Sequence, residues 1–230
     1  NSVCYFTYGN IHKVALLGIL GAVLGYKGYN QQKHDKNAIF PEFYEKLKDI
    51  KVAVVPKNQR GYIPKKIQTF NNSVGYASKE KGGNLIIKEQ WLEEPKWDIY
   101  ILIQGEIESE LTDRILNRKF HFIPYLGKND HVANISNMEL IKDAKKLGSV
   151  NQINSLYIKD YFEYQHIEYS PFDSFEYIPI FKYQEMLPVS LEATTNKYEL
   201  ETFVYTNENL KVINNDSLVF DCNDKTIFFF

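Results

Sequence analysis

The sequence predicts an α+β fold, and three observations carry that prediction. An apolar run at residues 14–25 and an amphipathic stretch at 108–119 have helical spacing. "IKVAVV" (50–55) and "WDIYILIQG" (97–105) are rich in β-branched and aromatic residues, as strands are. After Gly148 the chain turns rich in Tyr and Phe, with short β-like runs.

Each element follows in order. Asn10 is placed to cap a helix that reaches about Tyr26. "PEFYEKLKD" (41–49) reads as a short second helix, and 50–55 as a strand. Residues 57–90 are a polar excursion dotted with glycines, and 97–105 alternate as a strand does. In the helix at 108–119, Leu111, Ile115 and Leu116 point inward. "HVANISNMELI" (131–141) is a further expected strand, and "YELETFVY" (198–205) and "SLVFDC" (217–222) are β-like runs. Helix, strand, strand, helix, strand is a βαββαβ sandwich without its opening strand. The chain begins with Asn, not Met, so that strand is expected to precede it. No repeat or low-complexity linker interrupts the order.

At 230 residues the chain can bury one large core or two small ones. Its hydrophobic and charged fractions, 44% and 24%, exclude a disordered chain. The net charge of −2 hides an imbalance. Residues 1–96 hold 15 Lys and Arg against 8 Asp and Glu, whereas 97–230 hold 12 against 21. A basic front half on an acidic back half can carry a polyanion site within a neutral protein. Two cysteines make no disulfide framework, so a reducing cytoplasm is the expected location. The apolar run of 12 residues is too short for a bilayer, which needs roughly 20. Lys13 is the only cation before it and no cleavage pattern follows, so neither a signal peptide nor a membrane partner is expected.

The apolar helix carries Gly18, Gly21 and Gly25. On a helical projection these and Ala22 line one side, while Leu16, Leu17, Leu20, Val23 and Leu24 line the other. Each glycine costs about 1 kcal/mol relative to alanine. Close approach of another backbone would justify that cost, either a neighbouring strand or helix or a sugar-phosphate chain. The entry "TYGNIHKV" sets His12 and Lys13 in the first turn, with no acidic residue from Asn1 to His34. Helix N-termini favour negative charge. An external anion held by free N–H groups, Asn10, His12 and Lys13 would supply it. The plainer reading is an exposed Lys beside a capped core His.

The excursion at 57–90 holds Lys57, Arg60, Lys65, Lys66, Lys79, Lys81 and Lys88 against Glu80 and Glu89, interleaved with Tyr62, Phe70 and Tyr76. Lysines neutralise phosphates and aromatic faces stack on unpaired bases. The plainer reading is a solvated surface hairpin. His12, His34, His121, His131 and His166 are scattered, and no HExxH, CxxC, P-loop, GxSxG or dinucleotide fingerprint occurs. No metal and no cofactor are expected. A His serving as general base in metal-free RNA cleavage stays open.

Three stretches, in this order and spacing, resemble the fifth CRISPR-associated protein family. "TYGNIHKVALLGILGAVLGY" resembles that family's loop and glycine helix. "KEQWLEEPKWDIYI" (88–101) resembles its strand after the thumb, and "FIPYLGKNDHVANI" (122–135) its Pro-Tyr-Leu-Gly-Lys turn. The likeness covers residues 1 to about 140, and the composition is closest to the type I-B branch. Glu93-Glu94-Pro95 departs from the commoner Asn/Asp-Pro.

The resemblance implies an RRM-like (ferredoxin-like) palm over 1–147, a long thumb hairpin at about 57–90, and a β-rich C-terminal part over 148–230. It implies a non-catalytic RNA-binding subunit of a type I Cascade ribonucleoprotein complex in antiviral defence. Such a subunit binds the 5′ handle of crRNA, contacts the terminal backbone subunit and the large subunit, and meets target DNA through the complex. Carried onto this chain, Tyr8, Asn10, His12 and Lys13 would meet handle phosphates, with Gly18 and Gly21 admitting RNA or a palm strand. Arg60, Lys65, Lys66, Lys79, Lys81 and Lys88 would belong to the thumb. Tyr125 would stack and Lys128 would pair with phosphate. One branch of the family cuts precursor RNA with a Tyr/Lys/His set that does not align here, so no catalytic residue is assigned. The alternatives are a metal-independent endoribonuclease and a β-rich protein-interaction module without RNA.

Overall fold

The glycine-bearing apolar stretch becomes a helix, and the rest of the chain is arranged around it. The computed structural model describes residues 2–35, 37–165, 179–214 and 217–230. In chain order the elements are β1 (Ser2–Tyr5), α1 (Lys13–Leu24), α2 (Tyr29–Gln32), α3 (Glu42–Leu47), β2 (Val52–Pro56), β3 (Lys65–Asn71), β4 (Ile86–Leu92), β5 (Trp97–Ile101) and α4 (Glu106–Leu116). The back half adds β6 (Lys145–Lys146), β7 (Tyr157–Ile158), β8 (Phe162–Tyr164), β9 (Lys182–Leu191), β10 (Tyr198–Thr206), β11 (Leu210–Val212), β12 (Leu218–Cys222) and β13 (Lys225–Phe229). The fold is mixed α+β, as expected. Among the described residues no helix is long and apolar enough to cross a membrane.

α1 is buried on most of its circumference, so it lacks an amphipathic stripe. Leu17 and Val23 are fully buried, and Leu16, Leu20 and Leu24 nearly so. Burying a side chain of this size stabilises the fold by roughly 1.5–3 kcal/mol. Phe43, Tyr44 and Leu47 of α3, Leu111 of α4, Val52 and Val54 of β2, and Leu187 and Leu191 of β9 share its core cluster. The Tyr44 hydroxyl accepts the Leu191 N–H at 2.8 Å, tying α3 to the back half. The largest core therefore draws on both sides of the expected 147/148 boundary. α1 ends at Gly25, whose φ of +85° is the left-handed conformation that glycine takes without strain.

β2 pairs antiparallel with β5, from Val52↔Ile101 to Pro56↔Trp97. On its other side Val52 exchanges backbone hydrogen bonds with Phe230 at 3.2 and 3.0 Å, and Leu156 N–H donates to Val54 O at 2.8 Å. Main chain from the back half thus flanks β2. The excursion is a regular hairpin, β3 on β4, registered from Lys65↔Leu92 to Asn71↔Ile86. β1, a strand not foreseen from the sequence, lies parallel to β4 with Cys4 opposite Lys88. In the back half, β9 and β10 form a long hairpin flanked by β7, and β12 pairs with both β13 and β6.

Three local expectations are corrected. Residues 131–141 form no strand: only a single bridge, Tyr125↔Val132, orders that stretch. Leu116 is exposed, and α4 buries Leu111 with Ile115 half-buried. The residue that caps α1 is His12 rather than Asn10. Both cysteines are free, Cys4 exposed and Cys222 buried.

Candidate nucleic-acid interface

The helix entry is built from inside the chain. Gly9 N–H donates to both carboxylate oxygens of Glu185 on β9, each at 2.8 Å. The Tyr183 hydroxyl donates to the same carboxylate at 2.6 Å. A Cβ on Gly9 would lie 2.2 Å from that hydroxyl oxygen, so a larger residue here would push the Tyr183 side chain away. The anion that the acid-free entry calls for is therefore met, at Gly9, by a carboxylate of the back half.

Asn10 is buried with both ends of its amide engaged. Its Nδ2 donates to Gly61 O at 3.2 Å, and its Oδ1 accepts from Trp97 Nε1 at 2.9 Å. It joins the entry to β5 and to the approach of the hairpin. His12 Nδ1 accepts the Ala15 N–H at 3.2 Å, so the neutral ring carries its proton on Nε2. The ring stands edge-on to Tyr8 at 5.1 Å and to Tyr198 at 5.3 Å. Burial pushes His12 down to about 4, which leaves it neutral at pH 7. Tyr8 is half-buried, and burial and the Glu185 charge raise its hydroxyl.

Lys13 is buried, and its Nζ donates to Phe230 O at 3.3 Å. Burial lowers it to about 8, Lys51 adding to the effect and Asp49 opposing it. His12 and Lys13 therefore form no surface cation pair. Gly21 is buried beneath α3, where an added Cβ would fall 2.6 Å from Phe43 Cβ. The close neighbour of Gly21 is thus Phe43, and that of Gly25 is the His121 ring. Gly18 is half-buried, with Phe43 Cε2 as its nearest neighbour at 4.0 Å.

The hairpin separates its cations. Lys65 and Lys88 stand on one face with Cys4, Ile67 and Thr69, while Lys66 stands on the other with Phe70, Glu89 and Trp91. Lys79 and Lys81 are exposed on the connection between β3 and β4. Lys65 Nζ donates to Thr7 O at 2.9 Å, anchoring the hairpin to the entry loop. Lys66 faces Glu93 at 3.7 Å. Arg60 is exposed in a turn, with φ +57°, and the carbonyl of its neighbour Gly61 is the one Asn10 holds. Tyr62 and Tyr76 are exposed.

The turn at 124–128 packs onto the second of these faces. Lys128 pairs with the Glu89 carboxylate, and its Nζ lies 5.6 Å from the Phe70 ring centroid. Glu89 also accepts from Trp91 Nε1 at 2.9 Å, and His131 meets the Trp91 ring edge-on at 4.7 Å. The hydrogen bonds from Lys128 and Trp91 hold Glu89 below the usual carboxylate range. Lys128 keeps about half its side-chain surface open. Tyr125 is exposed.

Of the expected contact residues, Arg60, Lys66, Lys79, Lys81, Lys88, Tyr125 and Lys128 are exposed, Tyr8 and Lys65 are half-buried, and Asn10 and Lys13 are interior. The sequence alone assigns Glu185, Tyr183, Glu89 and His131 no role, because the contacts that give them one, to Gly9, Lys128 and Trp91, bridge distant parts of the chain. Trp91 lay within a quoted stretch without a role. Among the described residues no group of His, Cys, Asp and Glu side chains is placed to hold a metal. The arrangement presents lysines and aromatic rings on a hairpin braced by the entry loop and the 124–128 turn. No protein-family model matches the chain, and no curated protein matches it.

Proposed function

We propose that this chain is a non-catalytic subunit of a type I CRISPR Cascade complex, of the I-B kind, that grips the 5′ handle of crRNA. In this reading an RRM-like palm is built on β2, β5, α1 and α4, and the β3–β4 hairpin is the thumb. The observation that carries it is the convergence of the three stretches on which the resemblance rests. Thr7 N–H donates to Gln90 Oε1 at 3.3 Å and Trp97 Nε1 to Asn10 Oδ1 at 2.9 Å, and Lys128 reaches Glu89 on the hairpin. Stretches distant in sequence thus form one region, and most of its lysines are open to a polyanion. His12, at about 4, is a poor proton acceptor at neutral pH, which favours gripping RNA over cutting it.

The partners in this reading are the terminal backbone subunit, the large subunit and, through the complex, target DNA, in the cytoplasm. The test is co-purification from native cells with sequencing of bound RNA, beside a Lys65→Glu/Lys66→Glu variant. One RNA class sharing a short repeat-derived 5′ tag, with affinity falling steeply in salt, is the expected result. The double variant should assemble poorly, and Lys66→Glu alone, whose partner is the exposed Glu93, should weaken assembly while its unfolding transition stays in place. Heterogeneous RNA, or none, would overturn the reading, and normal assembly by the double variant would remove the thumb assignment.

A further inference from the structure

The aromatic cluster at the helix entry continues into the back half, which the sequence resemblance does not reach. Tyr198 opens β10 and lies against His12, its ring 5.3 Å away, beside the Tyr8 contact at 5.1 Å. It keeps 46% of its surface open, whereas Tyr8 and His12 are half-buried. Two residues earlier, Asn196 belongs to the β9–β10 turn, which is fastened to the front half. Its Nδ2 donates to Ile39 O at 2.9 Å, and Gln32 Nε2 donates to its Oδ1 at 2.9 Å. Glu192 shapes the turn from within by accepting the N–H groups of Thr194 and Thr195 at 2.7 Å each.

Beside this fastening lies an open cavity of about 460 Å³, lined by Tyr29, Gln32, Lys33, Ala38, Thr194 and Asn196 among others. Cavities of roughly 300–1,000 Å³ suit small organic ligands. Tyr29 is 41% exposed, and burial of the rest raises its hydroxyl to about 12, with Tyr198 and Tyr44 adding to the rise. Tyr8, His12 and Tyr198 form one aromatic cluster, and two residues before Tyr198 the turn at Asn196 borders the cavity that Tyr29 and Lys33 also line. An unpaired nucleotide has the matching parts: a π-face, polar base edges and a phosphate.

We infer that Tyr198 and Tyr29 line a path for single-stranded RNA leading from the helix entry into the cavity between α2 and the β9–β10 turn. The inference rests on the RNA-binding reading above and assigns RNA contacts to the back half. Tyr198 stacks on a base and Lys33 meets the adjoining phosphate. Lys33 is exposed, which suits a phosphate contact that is lost in salt.

The test uses the full chain and a fluorescein-labelled single-stranded RNA of mixed sequence, about ten nucleotides long. Ultraviolet crosslinking of the wild type should label peptides covering residues 27–38 and 193–206. Tyr198→Ala should weaken binding about tenfold, the order of one lost base stack, whereas Tyr198→Phe stays within about twofold. Tyr29→Ala should weaken it by a similar factor. Melting curves of each variant check that the fold persists, and the wild-type crosslinks do not depend on any substitution. If the wild type binds and crosslinks only through residues 57–90, with both alanine variants at full affinity, the path is wrong and the RNA-binding reading survives. If the wild type does not bind this RNA at all, the reading falls and the path falls with it.

Discussion

The Glu185 carboxylate accepts the Gly9 amide across a sequence separation of 176 residues, at 2.8 Å to each oxygen. The turn into α1 is thus secured by the acidic back half of the chain. Hydrogen bonds to ionised groups are among the stronger ones in a fold.

Glu185→Ala removes the acceptor of the Gly9 N–H and of the Tyr183 hydroxyl. The expected loss is about 1–3 kcal/mol, because both donors are left without a partner. Glu185→Gln keeps an acceptor and should lose less. Urea unfolding of the three proteins checks the ranking, and equal midpoints for all three would remove Glu185 from this role.

Two glycines of α1 should respond in opposite directions. Gly21→Ala forces a Cβ to within 2.6 Å of Phe43 Cβ, a collision between packed helices. Overpacking of this kind costs about 1–3 kcal/mol. At Gly18 the nearest neighbour is 4.0 Å away, so Gly18→Ala meets ordinary contact. It should stabilise by up to about 1 kcal/mol through helix propensity. Thermal melts of the pair decide the matter.

His12 gives the fold a pH response of defined sign. Its folded value, about 4, lies below the ordinary 6.5. The unfolded chain therefore takes up a proton that the folded chain refuses. Stability from this group is complete above pH 6.5 and falls as pH drops toward 4, by up to about 3 kcal/mol. His12→Asn caps the helix without titrating. Its stability should be flatter than that of wild type across that window in acid titrations followed by circular dichroism, and parallel curves would exclude His12 as the titrating group.

Lys128 and Glu89 brace the 124–128 turn against the hairpin. A double-mutant cycle with Lys128→Met and Glu89→Gln should return a coupling of about 1 kcal/mol, reduced by salt because Lys128 is half-open. Glu89 titrates below its ordinary 4.5 in the folded chain, so its contribution is present above that value and fades as pH falls through the folded value. A cycle that closes at zero at both pH 7 and pH 3 would mean the pair brace nothing.

The elements with a distinctive local composition or spacing were legible in the sequence: α1, α3, β2, β5, α4, β10 and β12 all lie where these put them. What spacing could not show was partnership. Asn10 has the chemistry of a cap, but Gly61 and Trp97 occupy its amide, so the capping bond passes to His12. Residues 131–141 have strand-like composition without a ladder, and Ile141 packs as irregular chain against the Ala53 and Val55 cluster. Val3, Tyr5, Phe6 and Thr7 suit a strand by composition, but the partner that makes β1 one is the edge of β4, which no local property names. The hairpin's lysines were visible, but its register alone sorts them onto two faces, and the residues beneath them, Glu89 and Trp91, are defined by contacts with 128 and 131.

The Phe230 carbonyl receives two donors from the front of the chain, Val52 N–H and Lys13 Nζ, the second across 217 residues. Synthesis at about 5–20 residues per second separates Lys13 from Phe230 by roughly 10 to 45 s. During that interval β2 has an open edge and α1 an unpaired amine, both waiting on the ribosome. The bonds that close this edge of β2 therefore form late, after residues 13 and 230 have both been made.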